Sequence, residues 1–165
     1  MQVELERICP QSRQVLENLF PYYIYDMSEF MGWNPNELGV FSYNNANFDK
    51  YWLEDSHHPF FITVNGTIAG FVLIRKYPQD LSLYDIEQFF VLRKFKGLGI
   101  GKQALKKVIT LFPGNWQVRV LLENKTGLGF WKSAISQLSN DYQYSQSKDV
   151  DLTMHFFHFE VGDTL

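Results

Sequence analysis

The feature that most constrains this chain is KGLGIGK, residues 96–102, where Gly97, Gly99 and Gly101 take every second position. Before it lies LYDIEQFFVL, Leu83 to Leu92, which has strand composition. After it, Leu105, Val108, Ile109 and Phe112 form one helical stripe, with Lys102, Lys106 and Lys107 mostly off it. Glycine is costly inside regular structure. It is used where φ must be positive or where something approaches the backbone closely. The stretch therefore reads as a strand-to-helix turn, either purely structural or shaped to hold a ligand.

The rest of the chain sets this turn in a wider order of elements. Residues 10–31 carry helical spacing through Val15, Leu16, Leu19, Phe20 and Ile24, then Met27 and Phe30, and Pro21 is expected to divide it into two pieces. Gly32 to His58 reads as a long loop with a short helix near Phe48 to Leu53. Pro59–Val64 and Ile68–Tyr77 read as strands joined at Asn65-Gly66, a tight-hairpin signal. Pro113-Gly114 ends the helix after the glycines, and Trp116–Glu123 is a further strand. Leu128, Trp131, Ile135 and Leu138 mark another helix, and two strands near 142–145 and 149–161 close the chain. The order α, α, β, β, β, α, β, α, β, β implies an α+β fold, a single domain over 1–165, with a central βαβ unit whose strands run parallel.

Composition narrows the partners. A net charge of −3 argues against nucleic acid, because phosphate contacts need a basic face. Aromatics reach 17%, with 15 Phe and 9 Tyr, which fits an aromatic core, an apolar groove or a homodimer face. Cys9 is the sole cysteine, so no internal disulfide forms and a reducing cytoplasm is the simplest setting. The start, MQVELERICPQSRQ, is too polar for a signal peptide, and no apolar run approaches the ~20 residues that span a bilayer. The expectation is a soluble cytoplasmic protein with no membrane contact.

Two phosphate-binding patterns fail here. The Walker loop needs one more residue between its glycines and a Ser or Thr after the lysine, where Gln103 stands. The dinucleotide pattern needs a third glycine at the position of Lys102. A third pattern fits: FFVLRKFKGLGIGKQAL resembles strand four, the cofactor loop and helix three of the GNAT superfamily of N-acetyltransferases, with its [RQ]xxGx[GA] cradle at Lys96 to Gly101. A second stretch, ENKTGLGFWKSAI (Glu123–Ile135), resembles the segment after that family's strand five. The two cover about residues 86–135, and the element order extends the likeness over nearly the whole chain.

The resemblance implies an α/β/α sandwich with a mixed, mostly antiparallel sheet, helices on both faces, and parallel strands four and five splayed apart. It implies acetyl-CoA as cofactor and a small-molecule or peptide amine as acceptor. The amides of Leu98, Gly99, Ile100, Gly101 and Lys102 would cradle the CoA pyrophosphate at a helix N-terminus, after Gly97 and with the charges of Lys96 and Lys102 nearby. The backbone from Phe90 to Leu92 would pair with the pantetheine arm, and the Val91 amide would face the thioester oxygen. Asn124 would contact the pantetheine or cap the following helix. Three positions depart from the family: Lys96 stands for Arg or Gln, Gly127 for Ala, and Trp131 for the Tyr that many members use as general acid. Trp131 then reads either as a cofactor contact or as a packed aromatic.

The chemistry needs a proton acceptor, because a primary amine with a pKa of about 10 must lose a proton before it attacks. Glu87 is the first candidate and Asp85 the second. Simple alternation places both with Phe89 and Val91 on one strand face, unless a bulge shifts the register. Tyr142 and Tyr144 are candidate acids by chain position, and His57 and His58 end the long loop near a strand. The aromatic stretch Phe41–Trp52 either walls the acceptor pocket or caps the core. His155 and His158 fall on opposite faces of the last strand, and no spacing supports a metal site. A catalytically silent acyl-CoA-binding module of the same fold is the alternative to an enzyme.

Overall fold

A computed structural model describes residues 1–162. Seven strands form one sheet: β1 (Val3–Arg7), β2 (His57–Val64), β3 (Thr67–Tyr77), β4 (Asp80–Val91), β5 (Gly114–Leu121), β6 (Gln143–Asp149) and β7 (Leu152–Val161). Their spatial order is β1-β2-β3-β4-β5-β7-β6, and every neighbouring pair is antiparallel except β4–β5. Four α-helices join them: α1 (Arg13–Met31), the short α2 (Lys50–Leu53), α3 (Ile100–Leu111) and α4 (Lys125–Leu138).

Strand alternation divides the core between two faces. Ile62, Val72, Ile74, Ile86, Val118 and Phe157 pack with Leu105, Val108 and Ile109 of α3 and Ile135 of α4. Phe61, Phe71, Leu73 and Phe90 pack with Leu16, Phe20 and Ile24 of α1. The helices therefore cover both faces of the sheet, as the resemblance implies, and the fold is α+β.

Three local readings are corrected. Strand β1 was not anticipated: VELER carries charge at three of its five positions, as suits an edge strand, and it pairs with β2 only. Pro21 does not divide α1, which runs unbroken from Arg13 to Met31. The buried stripe Leu16, Phe20, Ile24 straddles the proline, and its packing outweighs one lost backbone bond of about 3 kcal/mol. Finally, Leu73 pairs with Gln88 while Ile74 pairs with Ile86, so Glu87 is an extra residue in a bulge of β4. Asp85 and Glu87 consequently lie on the α1 side with Phe90. Phe89 and Val91 turn to the α3–α4 side with Ile86, against the simple alternation read from the sequence.

The hairpin at Asn65-Gly66 forms as expected, with positive φ at both residues (49° and 77°).

Candidate active site: a forked sheet and a run of free amides

Strands β4 and β5 pair at three rungs only, Leu83↔Asn115, Tyr84↔Trp116 and Asp85↔Gln117. Beyond Asp85 the two strands part, and a gap opens between Ile86–Val91 and Val118–Leu121. Leu92 donates its N–H to Ala69 of β3 at 2.8 Å. Since successive residues of a strand point their amides to opposite edges, the Val91 N–H faces the gap.

The turn into α3 lies at the end of the gap. Gly97 and Gly99 hold φ of 77° and 75°, a region that side-chain-bearing residues rarely enter, and a Cβ at Gly97 would meet nothing within 4 Å. Ile100 is buried and fixes the start of the helix. The first amide bonded within the turn is that of Gln103, to the Gly99 carbonyl at 3.1 Å. Among the described residues, the six amides from Gly97 to Lys102 have no hydrogen-bond partner. Consecutive free amides at a helix N-terminus, with glycine backbone open to contact, form an anion cradle. Gly101 has another purpose: a Cβ there would lie 3.0 Å from the Phe130 ring, so it lets α4 pack closely.

Neither nearby lysine points freely at the cradle. Lys96 donates to Asp26 of α1 at 2.9 Å, beside Arg93 on the same carboxylate at 3.0 Å. Lys102 donates to the Ser133 hydroxyl on α4 at 2.8 Å. Burial pushes the Asp26 carboxyl up, but Lys96 and Arg93 overcome it and hold the group below its usual range. Lys102 also lines a groove of ≈ 320 Å³ between α3 and α4, with Gln103, Lys106, Ala134, Gln137 and Leu138.

On α4, Trp131 is 9% exposed and packs edge-on against Phe89 and Phe130, so its indole is a core aromatic. The Asn124 side-chain oxygen, Oδ1, accepts from the Gly127 N–H at 2.8 Å and caps the helix. A Cβ at Gly127 would come within 2.5 Å of that amide group, so the glycine makes room for the cap.

The opposite face of the fork holds a chain of charges. Tyr51 of α2 donates to Glu87, and Arg75 of β3 faces the other Glu87 oxygen at 3.4 Å. Arg75 also bonds Asp85 at 3.0 Å, and Arg119 of β5 bonds Asp85 at 2.8 and 3.1 Å. Arg119 reaches on to Asp149, which also accepts from Tyr77 at 3.0 Å. Asp85 is fully buried with both oxygens engaged, whereas Glu87 keeps about a quarter of its side chain exposed (24%). Of the two carboxylates, only Glu87 presents surface to an incoming group.

Other sequence candidates fall elsewhere. His57 is buried behind the Tyr51 ring, and His58 stacks near Phe112. Tyr144 pairs with His155 at 2.6 Å on the outer hairpin, and Tyr142 packs on Phe157. Among the described residues no group of three or more His, Cys, Asp or Glu is set to hold a metal, and no helix is long and apolar enough to cross a membrane. Arg75, Arg119 and Tyr23 were not singled out from the sequence, and Tyr51 was covered only as part of the stretch Phe41–Trp52. Arg119 carried a usable signal, a lone cation inside the apolar strand WQVRVLLE.

Known proteins are similar to this chain both in sequence pattern and in fold. The sequence profile of the acetyltransferase (GNAT) family matches residues 20–134. The chain belongs to the GNAT acetyltransferase family. No curated protein sequence matches it at a significant level. Among solved structures, an acetyltransferase from Thermus thermophilus superposes with a TM-score of 0.72 at 15% identity, covering 98% of each chain. The spermidine N-acetyltransferase of Vibrio cholerae, solved with CoA and spermine, gives 0.68 at 10% identity over 97% of this chain and 96% of its own. The Escherichia coli ribosomal-protein-S18-alanine N-acetyltransferase gives 0.64 at 10% identity over 98% and 95%. At these identities the structures attest the GNAT fold, and the family carries the transferase assignment.

Proposed function

We propose that this GNAT member is an acetyl-CoA-dependent N-acetyltransferase that moves acetyl to an amine by direct attack. The observation that carries the reading is the run of six free amides from Gly97 to Lys102 at the end of the β4–β5 gap. Those amides would hold the pyrophosphate, with Lys96 and Lys102 able to turn toward it from Asp26 and Ser133. The α3–α4 groove would take the nucleotide end, and the unpaired edge of β4 up to Val91 the pantetheine arm.

Acetyl-CoA when bound supplies an acetyl group activated as a thioester. The Val91 N–H is the donor available to the carbonyl oxygen as it gains charge. Glu87 takes the proton of the amine, directly or through water. The nitrogen bonds the acetyl carbon, the carbon–sulfur bond breaks, and its electron pair leaves on sulfur. A thiol pKa of about 8–9 lets thiolate leave without an acid, so Trp131 in place of tyrosine does not block turnover. Asp85, with both oxygens held by arginines, serves as a positioning residue.

Calorimetry of acetyl-CoA against wild type and Gly99→Glu tests the cradle. Micromolar binding by wild type and none by the variant is expected. A folded wild type that ignores millimolar acetyl-CoA overturns the reading. The packed Trp131 favours one second reading, a silent acyl-CoA-binding module, which binds but releases no thiol above background with any amine.

A further inference from the structure

The gap between β4 and β5 has two mouths. The cradle and the α3–α4 groove lie at one. With the cofactor entering there, a second substrate reaches the gap only from the α1 side. That side presents Glu87 among three tyrosines, each from a different segment: Tyr23 of α1, Tyr43 of the loop before α2, and Tyr51 of α2. Tyr51 is bonded to Glu87. The Tyr23 ring stands edge-on to Phe71 and Phe90, and its hydroxyl makes no hydrogen bond among the described residues. Protein surrounds Tyr23, yet it retains some exposed surface, and no buried polar side-chain atom in the described residues lacks a partner. Its hydroxyl therefore keeps some exposed surface. The Tyr23 ring lies 5.8 Å from that of Phe90, which is on the same face of β4 as Glu87 and three residues further along, so Tyr23 stands over the fork. Burial first, then the Glu87 charge, pushes this phenol well above its usual range, so it stays protonated.

The two arginines over the fork are already matched. Arg75 lies against Asp85 and Glu87, and Arg119 against Asp85 and Asp149. Two guanidiniums among three carboxylates leave one net negative charge, and Glu87 is the carboxylate with the most exposed surface. A substrate carboxylate entering here would meet Glu87 and find no free arginine. An ammonium group would meet a carboxylate and tyrosine rings, both of which attract it.

Resting on the function proposed above, we infer that the acceptor is a primary ammonium compound with no carboxylate beside its nitrogen, held between Glu87 and the Tyr23 hydroxyl. Free α-amino acids are excluded as acceptors. Tyr23 is the specificity-determining residue: its oxygen accepts an N–H of the acceptor and orients the nitrogen toward the gap while Glu87 takes the proton.

The test compares matched amines that differ only by a carboxylate: tyramine with tyrosine, cadaverine with lysine, agmatine with arginine. Acetyl-CoA is present and thiol release is measured. At least one decarboxylated amine is expected to show kcat/KM tenfold or more above its amino acid. Tyr23→Phe is expected to raise KM for that amine about tenfold, with the dissociation constant for acetyl-CoA unchanged. Equal or better turnover of the amino acids overturns the inference. An unchanged KM in Tyr23→Phe removes the role of Tyr23. Failure to bind acetyl-CoA, or binding with no thiol release from any of these amines or amino acids, strikes the proposed function instead, so the two failures are told apart.

Discussion

Arg119 on β5 grips the buried carboxylate of Asp85 on β4 with two nitrogens, at 2.8 and 3.1 Å, at the last rung before these strands part. Arg75 of β3 holds the same carboxylate, so three strands are tied at the apex of the fork. Removing one partner of a buried ion pair costs roughly 3–5 kcal/mol, because the other charge is stranded. Asp85→Asn is placed at the lower end, about 3 kcal/mol, since Arg75 keeps Glu87 and Arg119 keeps Asp149. Urea denaturation measures it. A loss under about 1 kcal/mol, the scale of an exposed pair, would mean the apex is not held by charge.

Asp26 ties the segment leading into the glycine turn to α1 by holding Lys96 and Arg93. Any anion at the cradle competes with Asp26 for Lys96. In Asp26→Asn the lysine is released and a nearby negative charge is gone, so acetyl-CoA should bind more tightly. The lysine is half exposed (51%), so the gain is that of a surface pair, up to about 1 kcal/mol or roughly fivefold in affinity. The gain should shrink as salt rises. Calorimetry at two salt concentrations decides it, and unchanged or weaker binding would show that Lys96 plays no part at the pyrophosphate.

Much of this architecture was legible because the signals are local. Gly97 and Gly99 announce positive φ, Asn65-Gly66 announces a hairpin, and the stripes of α3 and α4 announce their buried faces. What escaped depends on partners distant in the chain. The bulge at Glu87 arises from pairing with Leu73 and Ile74, and nothing in LYDIEQFFVL marks it. Shifting one residue moved the carboxylates to the face opposite Val91 and so set them on the α1 side of the sheet. Asp85 stands in the sequence as the second candidate base, and only the tertiary fold sets Arg75 and Arg119 against it. Tyr23 is not among the residues of the helical stripe read over 10–31, and only the tertiary fold leaves its hydroxyl without a hydrogen-bond partner among the described residues.

Gly70 and Gly129 should respond oppositely to alanine. A Cβ at Gly70 would lie 1.9 Å from the Phe90 carbonyl oxygen, a backbone atom that cannot yield without breaking the β3–β4 ladder beside the gap. Gly70→Ala should cost more than about 3 kcal/mol, the upper range of overpacking, and should fail to accumulate as folded protein. Gly129 lies inside α4 with nothing within 4 Å of a new Cβ. Gly129→Ala should stabilise by roughly 0.4–1 kcal/mol through the unfolded chain. Thermal melts of both decide the point, and a Gly70→Ala protein melting like wild type would contradict the close approach.

His58 makes stability depend on pH just below neutrality. Burial first, then Arg7, His57 and Lys76, hold its imidazole below the usual value. The geometry agrees: the Arg7 guanidinium faces its Nδ1 at 3.1 Å, so that nitrogen must be unprotonated to accept the hydrogen bond. Burial likewise lowers His57, with Glu54 opposing. A base depressed in the folded state takes up its proton first in the unfolded chain, near the unperturbed value of about 6.5. Stability is therefore fully present above that value and falls as pH drops below it toward the folded value. The urea midpoint should hold between about pH 8 and 7 and decline from about 6.5 to 5.5, before carboxylates begin to titrate. His58→Asn keeps an acceptor for Arg7 but cannot titrate, and it should flatten part of that decline. A wild-type midpoint that is level down to about pH 5.5 would show that these histidines accept protons freely in the folded protein.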